Sequence, residues 1–90
     1  MTPKTNEALV ILQEECAEVI QEVSKCFRFG INDLNKDGIK HSVVLEKEVA
    51  DVLCMVDILV EQGVLDLDRL ATGKIEKQTK LKKWSKLYED

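Results

Sequence analysis

The stretch that most constrains the fold is Leu45–Leu59, LEKEVADVLCMVDIL. It reads as a helix that is apolar on nearly every side, through Val49, Val52, Leu53, Cys54, Met55, Val56, Ile58 and Leu59. At about 100° per residue, Glu48, Asp51, Met55, Ile58 and Leu59 share one face. A buried, unpaired carboxylate costs several kcal/mol or gives up its charge. Two of them on an apolar face therefore need compensation. A second pair with the same spacing, Glu15 and Glu18, lies upstream in QEECAE. Four carboxylates on two helices can converge on hard cations.

Length adds a second constraint. A chain of 90 residues reads as one domain spanning residues 1–90. At this size only about 60–65% of the unfolded surface is buried, so the protein's own core is marginal. A helix that is apolar all round needs cover on all sides, and two further helices cannot supply it. The expectation is an all-α, three-helix chain that forms an oligomeric bundle, as a homodimer or as a homotetramer built of two dimers. A composition 44% hydrophobic and 33% charged fits a soluble globular protein and argues against disorder.

In chain order, Thr2-Pro3 and Thr5 mark a helix start, with Thr5 as the candidate N-cap. The first helix is predicted from about Asn6 to Phe29, with an apolar stripe of Leu9, Leu12, Cys16, Val19, Ile20, Val23 and Phe27. Glu15, Glu18 and Glu22 lie along one edge of that stripe, and Glu14 points further round, toward solvent. Gly30 ends the helix, and residues 31–40 form a loop rich in turn formers. A second helix is predicted from about Ser42 to Gln62, stopped by Gly63. Asp66 or Asp68 can cap a third, lysine-rich helix that runs to about Leu87. No strand pattern and no internal repeat is visible.

Charge is unevenly placed. Residues 1–65 carry 12 acids against 6 bases, whereas residues 66–90 carry 7 bases against 5 acids. An acidic body with a basic tail is a poor nucleic-acid binder. It suits a site where carboxylates hold metal and lysines meet phosphate. The three cysteines, Cys16, Cys26 and Cys54, form no CxxC motif and no Cys–His cluster, which argues against zinc. An odd number of thiols within apolar patterns fits small core residues in a reducing cytoplasm. No run reaches the roughly 18 apolar residues of a membrane span, and no signal peptide is visible at the polar N-terminus.

The carboxylates favour magnesium, with manganese as a substitute, because all four are hard oxygen donors. A di-iron centre in a helical bundle would use a Glu-x-x-His step. The only histidine, His41, is not three residues after a glutamate.

Glu14-Glu15-Cys16-Ala17-Glu18, followed after a few tens of residues by Glu48-Val49-Ala50-Asp51, resembles the MazG-like all-α nucleoside triphosphate pyrophosphohydrolases. This superfamily includes the dCTP pyrophosphatases and the dimeric dUTPases. The likeness extends through ILQEECAEVIQEVSKCFRFG and EVADVLCMVDILVEQGVLD, covers roughly residues 8 to 84, and is with short single-domain members of bacteria and phages. It implies hydrolysis of a (deoxy)nucleoside triphosphate to the monophosphate and pyrophosphate, with Glu15, Glu18, Glu48 and Asp51 holding Mg²⁺. Glu14 or Glu22 would take the proton of the attacking water or orient a ligand, with Glu15 beside them at the catalytic centre. The segment Lys77-x-x-Lys80-Leu81-Lys82-Lys83-Trp84 resembles the family's phosphate-reaching K-x-x-K-N-x-[KR] segment, with Leu81 where many members have Asn. Lys77, Lys80 and Lys83 lie near one face. Lys25, Arg28 and Phe29 close the first helix, offering cations for phosphate and a ring for base stacking. Trp84 is a further aromatic candidate, although a packing role is the commoner one.

Two other readings compete. Asp33-Leu34-Asn35-Lys36-Asp37-Gly38 matches the first half of an EF-hand loop, which would make the chain a non-catalytic calcium-binding helix-loop-helix module. The bidentate Glu such a loop needs at its twelfth position is Val44 here. A MazG-like fold that only binds a nucleotide or a partner is the other.

Overall fold

The computed structural model describes residues 1–89, which form three helices and no strand. They are α1 (Pro3–Phe29), α2 (His41–Glu61) and α3 (Leu67–Trp84). The all-α expectation holds. α1 starts earlier than predicted because Thr2, not Thr5, is its N-cap. The Thr5 backbone N–H donates to Thr2 Oγ1 at 3.1 Å, and Pro3 occupies a first-turn position where no N–H is needed. α3 is capped by Asp66, whose carboxylate accepts from the Arg69 N–H at 2.9 Å. It ends three residues before the predicted Leu87, at the Ser85 cap.

α1 and α2 pack as an antiparallel pair. Along α1 the covered positions are Thr5, Ala8, Leu12, Glu15, Val19, Glu22 and Cys26, alternately three and four residues apart. Along α2 they are His41, Val44, Glu48, Asp51, Met55 and Ile58, with Leu59 beside them. This spacing keeps a seam facing a partner helix. Only one end of the seam is apolar: Ala8, Met55 and the fully buried Leu59 form the core, with Leu9, Ile11, Leu12, Ile58 and Leu65 packed around them. The other end is occupied by carboxylates and His41.

The loop between α1 and α2 is tightly hydrogen-bonded. Gly30 adopts φ +104°, and an added Cβ would lie 2.8 Å from Asp33 Oδ2. Asn35 Oδ1 accepts from the Asp37 and Ile39 N–H groups, each at 2.9 Å, and an isolated bridge joins Leu34 to Lys40. The resemblance to an EF-hand loop is thus taken up by a turn in which the Asn35 oxygen is committed to backbone amides.

Much of the predicted apolar surface is uncovered in the single chain. Ile20 is 71% exposed, Phe27 88% and Leu53 58%. Cys16 and Cys54 are exposed rather than core residues, and Cys26 is half-buried. The stripe read from the sequence merged two faces of α1. One faces α2, and the other, through Ile20, Val23 and Phe27, faces outward. α3 packs no appreciable face on the other two helices, so Leu67, Ile75, Trp84 and Leu87 are exposed. Trp84 is therefore no packing anchor within the chain. The radius of gyration is 16.0 Å. A compact domain of this length would have about 12 Å.

Because so few side chains form the core, Leu59→Ala is expected to cost about 2–5 kcal/mol. Urea denaturation at fixed protein concentration measures this. A loss below 1 kcal/mol would contradict the placement of the core.

Candidate metal centre

The carboxylates of Glu15, Glu48 and Asp51 offer oxygens that all lie within 4.8 Å of one another. Each arrives there by helical spacing. Glu48 and Asp51 are one turn apart on α2, and Glu15 faces them from the middle of α1. Among the described residues this is the only group of three or more Asp, Glu, His or Cys side chains close enough to share an ion. Asp33 and Asp37 of the connecting loop make no such group.

The electrostatics are those of crowded like charges. Desolvation, the Asp51 and Glu48 carboxylates, side-chain hydrogen bonding with Asp51 and, last, Glu18 push the Glu15 carboxyl above its ordinary range. One cation offsets this crowding. Lys47 Nζ donates to Asp51 Oδ2 at 2.9 Å, and its ammonium is held above the usual lysine range by that hydrogen bond and by the Asp51 charge. The lysine is largely exposed, so solvent screens the pair and it contributes little. Three half-buried carboxylates with one solvated lysine suit a small divalent cation with hard-oxygen preference.

The remaining candidates are distributed as follows. Glu18 is exposed, outside the tight trio but near enough to act on Glu15. Glu14 is exposed and outside the cluster. Glu22 is not a solvated acid. It is 4% exposed, and its Oε1 accepts from His41 Nδ1 at 3.0 Å. Arg28 places its guanidinium 5.0 Å from the centroid of the Phe29 ring. Phe29 also stacks on His41, with centroids 5.6 Å apart and planes at 19°. Its ring already has two internal partners. Lys25 and Phe29 line a cavity of about 470 Å³ with His41 and the connecting loop. Lys77, Lys80 and Lys83 lie on exposed positions of α3, and Lys83 Nζ sits 5.6 Å from the Trp84 ring centroid. Because α3 does not pack on α1 and α2, one chain does not gather these lysines at the carboxylates.

Lys47 goes unread in the sequence, and His41 is weighed there only as an iron ligand. Lys47 stands four residues before Asp51, a spacing at which helical side chains meet. His41 stands seven residues before Glu48, on the same helical face.

Comparison with known proteins decides the family. The model of the MazG nucleotide pyrophosphohydrolase domain matches residues 2–85. The chain belongs to that family. No curated protein and no solved structure matches the chain significantly. MazG domains are all-α and generally depend on a divalent metal. The helical fold and the acidic trio agree with both properties.

A carboxyl pushed upward is a group whose ionisation the fold opposes. Its stabilising contribution is fully present below its unfolded value and is lost as pH rises through its folded one. At neutral pH, without metal, Glu15→Gln is therefore expected to raise the melting temperature slightly. That difference should shrink as pH falls through the Glu15 range. Mg²⁺ should stabilise the unmodified protein by about 2.7 kcal/mol at a hundredfold excess over Kd, and Asp51→Asn should lose that gain. Thermal melts across pH, with and without Mg²⁺, measure both effects.

Proposed function

We propose that this MazG domain catalyses Mg²⁺-dependent hydrolysis of a (deoxy)nucleoside triphosphate to the monophosphate and pyrophosphate. The observation that carries the reading is the convergence of Glu15, Glu48 and Asp51 within 4.8 Å, in a chain whose family is the MazG nucleotide pyrophosphohydrolases. Those three, with Glu18 alongside, would hold Mg²⁺, or Mn²⁺ in its place. Bound there, the ion would neutralise and orient the triphosphate and lower the pKa of an attacking water.

The chain's own residues set the rest. Glu15 sits at the catalytic centre as one of the trio, and Glu14, the exposed acid beside it in sequence, is free to take the proton of an attacking water. Glu22 is committed to His41, so its role is to orient rather than to accept a proton. Lys25 and Arg28 meet the substrate from the end of α1. Lys77, Lys80 and Lys83 would supply further cations from α3, with Trp84 beside them. Support for that lies in charge: α3 has six bases against two acids, whereas α1 and α2 together have ten acids against four bases.

The protein acts as a homodimer, or as a tetramer of two dimers, in which a second copy covers Ile20, Val23, Phe27, Val49 and Leu53. Exposed apolar side chains on one face and the unpacked α3 support this reading. The site is then completed by α3 of a neighbouring copy. The domain works in the cytoplasm, a reading supported by its three free thiols.

Product analysis with a panel of NTPs and dNTPs, with and without Mg²⁺, tests the reaction. Monophosphate plus pyrophosphate is expected, and diphosphate plus orthophosphate would refute it. Glu48→Gln should lower kcat by more than about 100-fold, beyond the loss typical of outer-shell partners. In sedimentation velocity, Leu53→Glu should shift the protein toward monomer and reduce activity in parallel. An unchanged sedimentation coefficient would exclude that face as the interface.

A further inference from the structure

The seam between α1 and α2 carries a second polar constellation. The register that sets Glu15 against Glu48 also sets Glu22 against His41, two turns further along α1 and two turns back along α2. At 1.5 Å per residue the two constellations lie about 10 Å apart. The second is built rather than incidental. Glu22 and His41 are 4% and 5% exposed, joined at 3.0 Å, and the imidazole is braced by stacking on Phe29.

Its chemistry is directional. Glu22 accepts from His41 Nδ1, which turns Nε2 away as the ring's free edge. Nε2 has no partner among the described residues. No sealed side-chain nitrogen or oxygen there lacks a partner, so Nε2 must reach solvent. His41 lines the cavity of about 470 Å³, together with Lys25, Asp33, Asn35 and Lys36. The Asn35 amide is fixed there, because its oxygen holds two backbone N–H groups and its NH₂ remains as donor. Two ammonium groups and the Asn35 amide offer donors, whereas the Asp33 carboxylate and Nε2, the imidazole's acceptor when Nδ1 donates to Glu22, offer acceptors.

We propose that this cavity holds the nucleoside end of the substrate, with His41 reading the edge of the base and Glu22 as its positioning residue. The proposal rests on the nucleotide-hydrolase reading above. About 10 Å from the carboxylates is where the base of a nucleotide falls when its phosphates are held at the acidic trio. Uracil, thymine, guanine and cytosine each carry an N–H beside a carbonyl oxygen or ring nitrogen, so an edge that accepts at His41 Nε2 and donates from lysine and amide favours these carbonyl-bearing bases over adenine, which has no carbonyl. Phe29 serves here as the brace for His41 rather than as a free stacking platform.

The binding test uses the full chain, no metal and a ligand without phosphates, so it does not depend on turnover. Titration with thymidine, followed by the His41 imidazole NMR signals, should shift those signals. It should do so equally in Glu48→Gln, in which hydrolysis is expected to be lost. Adenosine should shift them least. Unmoved signals with thymidine, uridine, guanosine and cytidine, or a response to pyrophosphate alone, would overturn the assignment.

With active protein, His41→Phe keeps the stacking and removes Nε2. KM should rise about tenfold, the upper range for one lost hydrogen bond, with the loss falling on KM rather than kcat. Lys25→Met, on an exposed position that carries no folding risk, should raise KM in the same direction. Unchanged KM in both would overturn the proposal. Glu22→Gln should flatten discrimination among bases. A fall in kcat with discrimination intact would return Glu22 to proton transfer and overturn its positioning role. ATP or dATP turned over as well as the best substrate would overturn the reading of the base edge.

Discussion

Mutual repulsion among three carboxylates at the middle of the α1–α2 seam is the constraint on which the rest depends. Glu15, Glu48 and Asp51 are held within 4.8 Å by the same packing that buries Met55 and Leu59 on the adjoining turns. A fold optimised for stability alone would place leucine or isoleucine at these positions. The acids instead divide the seam into a small apolar end and a polar end. With one solvated lysine as counterion, the cluster is poised to gain stability from a divalent cation. Under the proposed metal-binding role, stability and metal affinity compete for the same seam positions.

The small core follows from that division. Side chains that would enlarge it point outward as Ile20, Phe27 and Leu53, and α3 lies apart from both other helices. A chain of this size with so little buried apolar surface is marginal by itself. A second copy that covers these faces would contribute the missing hydrophobic burial. It would also bring the basic α3 toward acidic helices. Folding, assembly and completion of the site then become one coupled process.

The helices and the carboxylates were legible in the sequence because both rest on local rules. The i, i+3 spacing of Glu48 and Asp51 within an apolar run marks a helix with acids on its packed face, and the structure half-buries them. The placement of Glu22 and the exposure of Ile20 and Phe27 were not legible. α1 carries two apolar faces, and periodicity alone does not say which one meets α2 and which stays open. His41 illustrates the same limit. It looks unremarkable at a helix start, and only the register between two helices pairs it with Glu22. The Asp33–Gly38 segment shows the converse: a motif spelled in local sequence whose oxygen the folded loop uses internally.

That register gives the molecule its economy. One antiparallel packing mode, repeated at a spacing of two turns, yields three stations along a single groove. The first is the apolar core at Ala8 and Met55, the second the acidic trio, the third the Glu22–His41 pair. A helix pair is stiff along its axis, so the distance between the last two stations is fixed by the rise per residue rather than by loop conformation. With the roles proposed above, metal ligation and recognition at the cavity can diverge independently. Substitutions at Lys25, Asn35 or Lys36 would alter what the cavity accepts without moving the carboxylates. Changes at the trio would alter the metal without reshaping the cavity. Only Glu22 and His41, buried within the seam itself, bear on both packing and recognition.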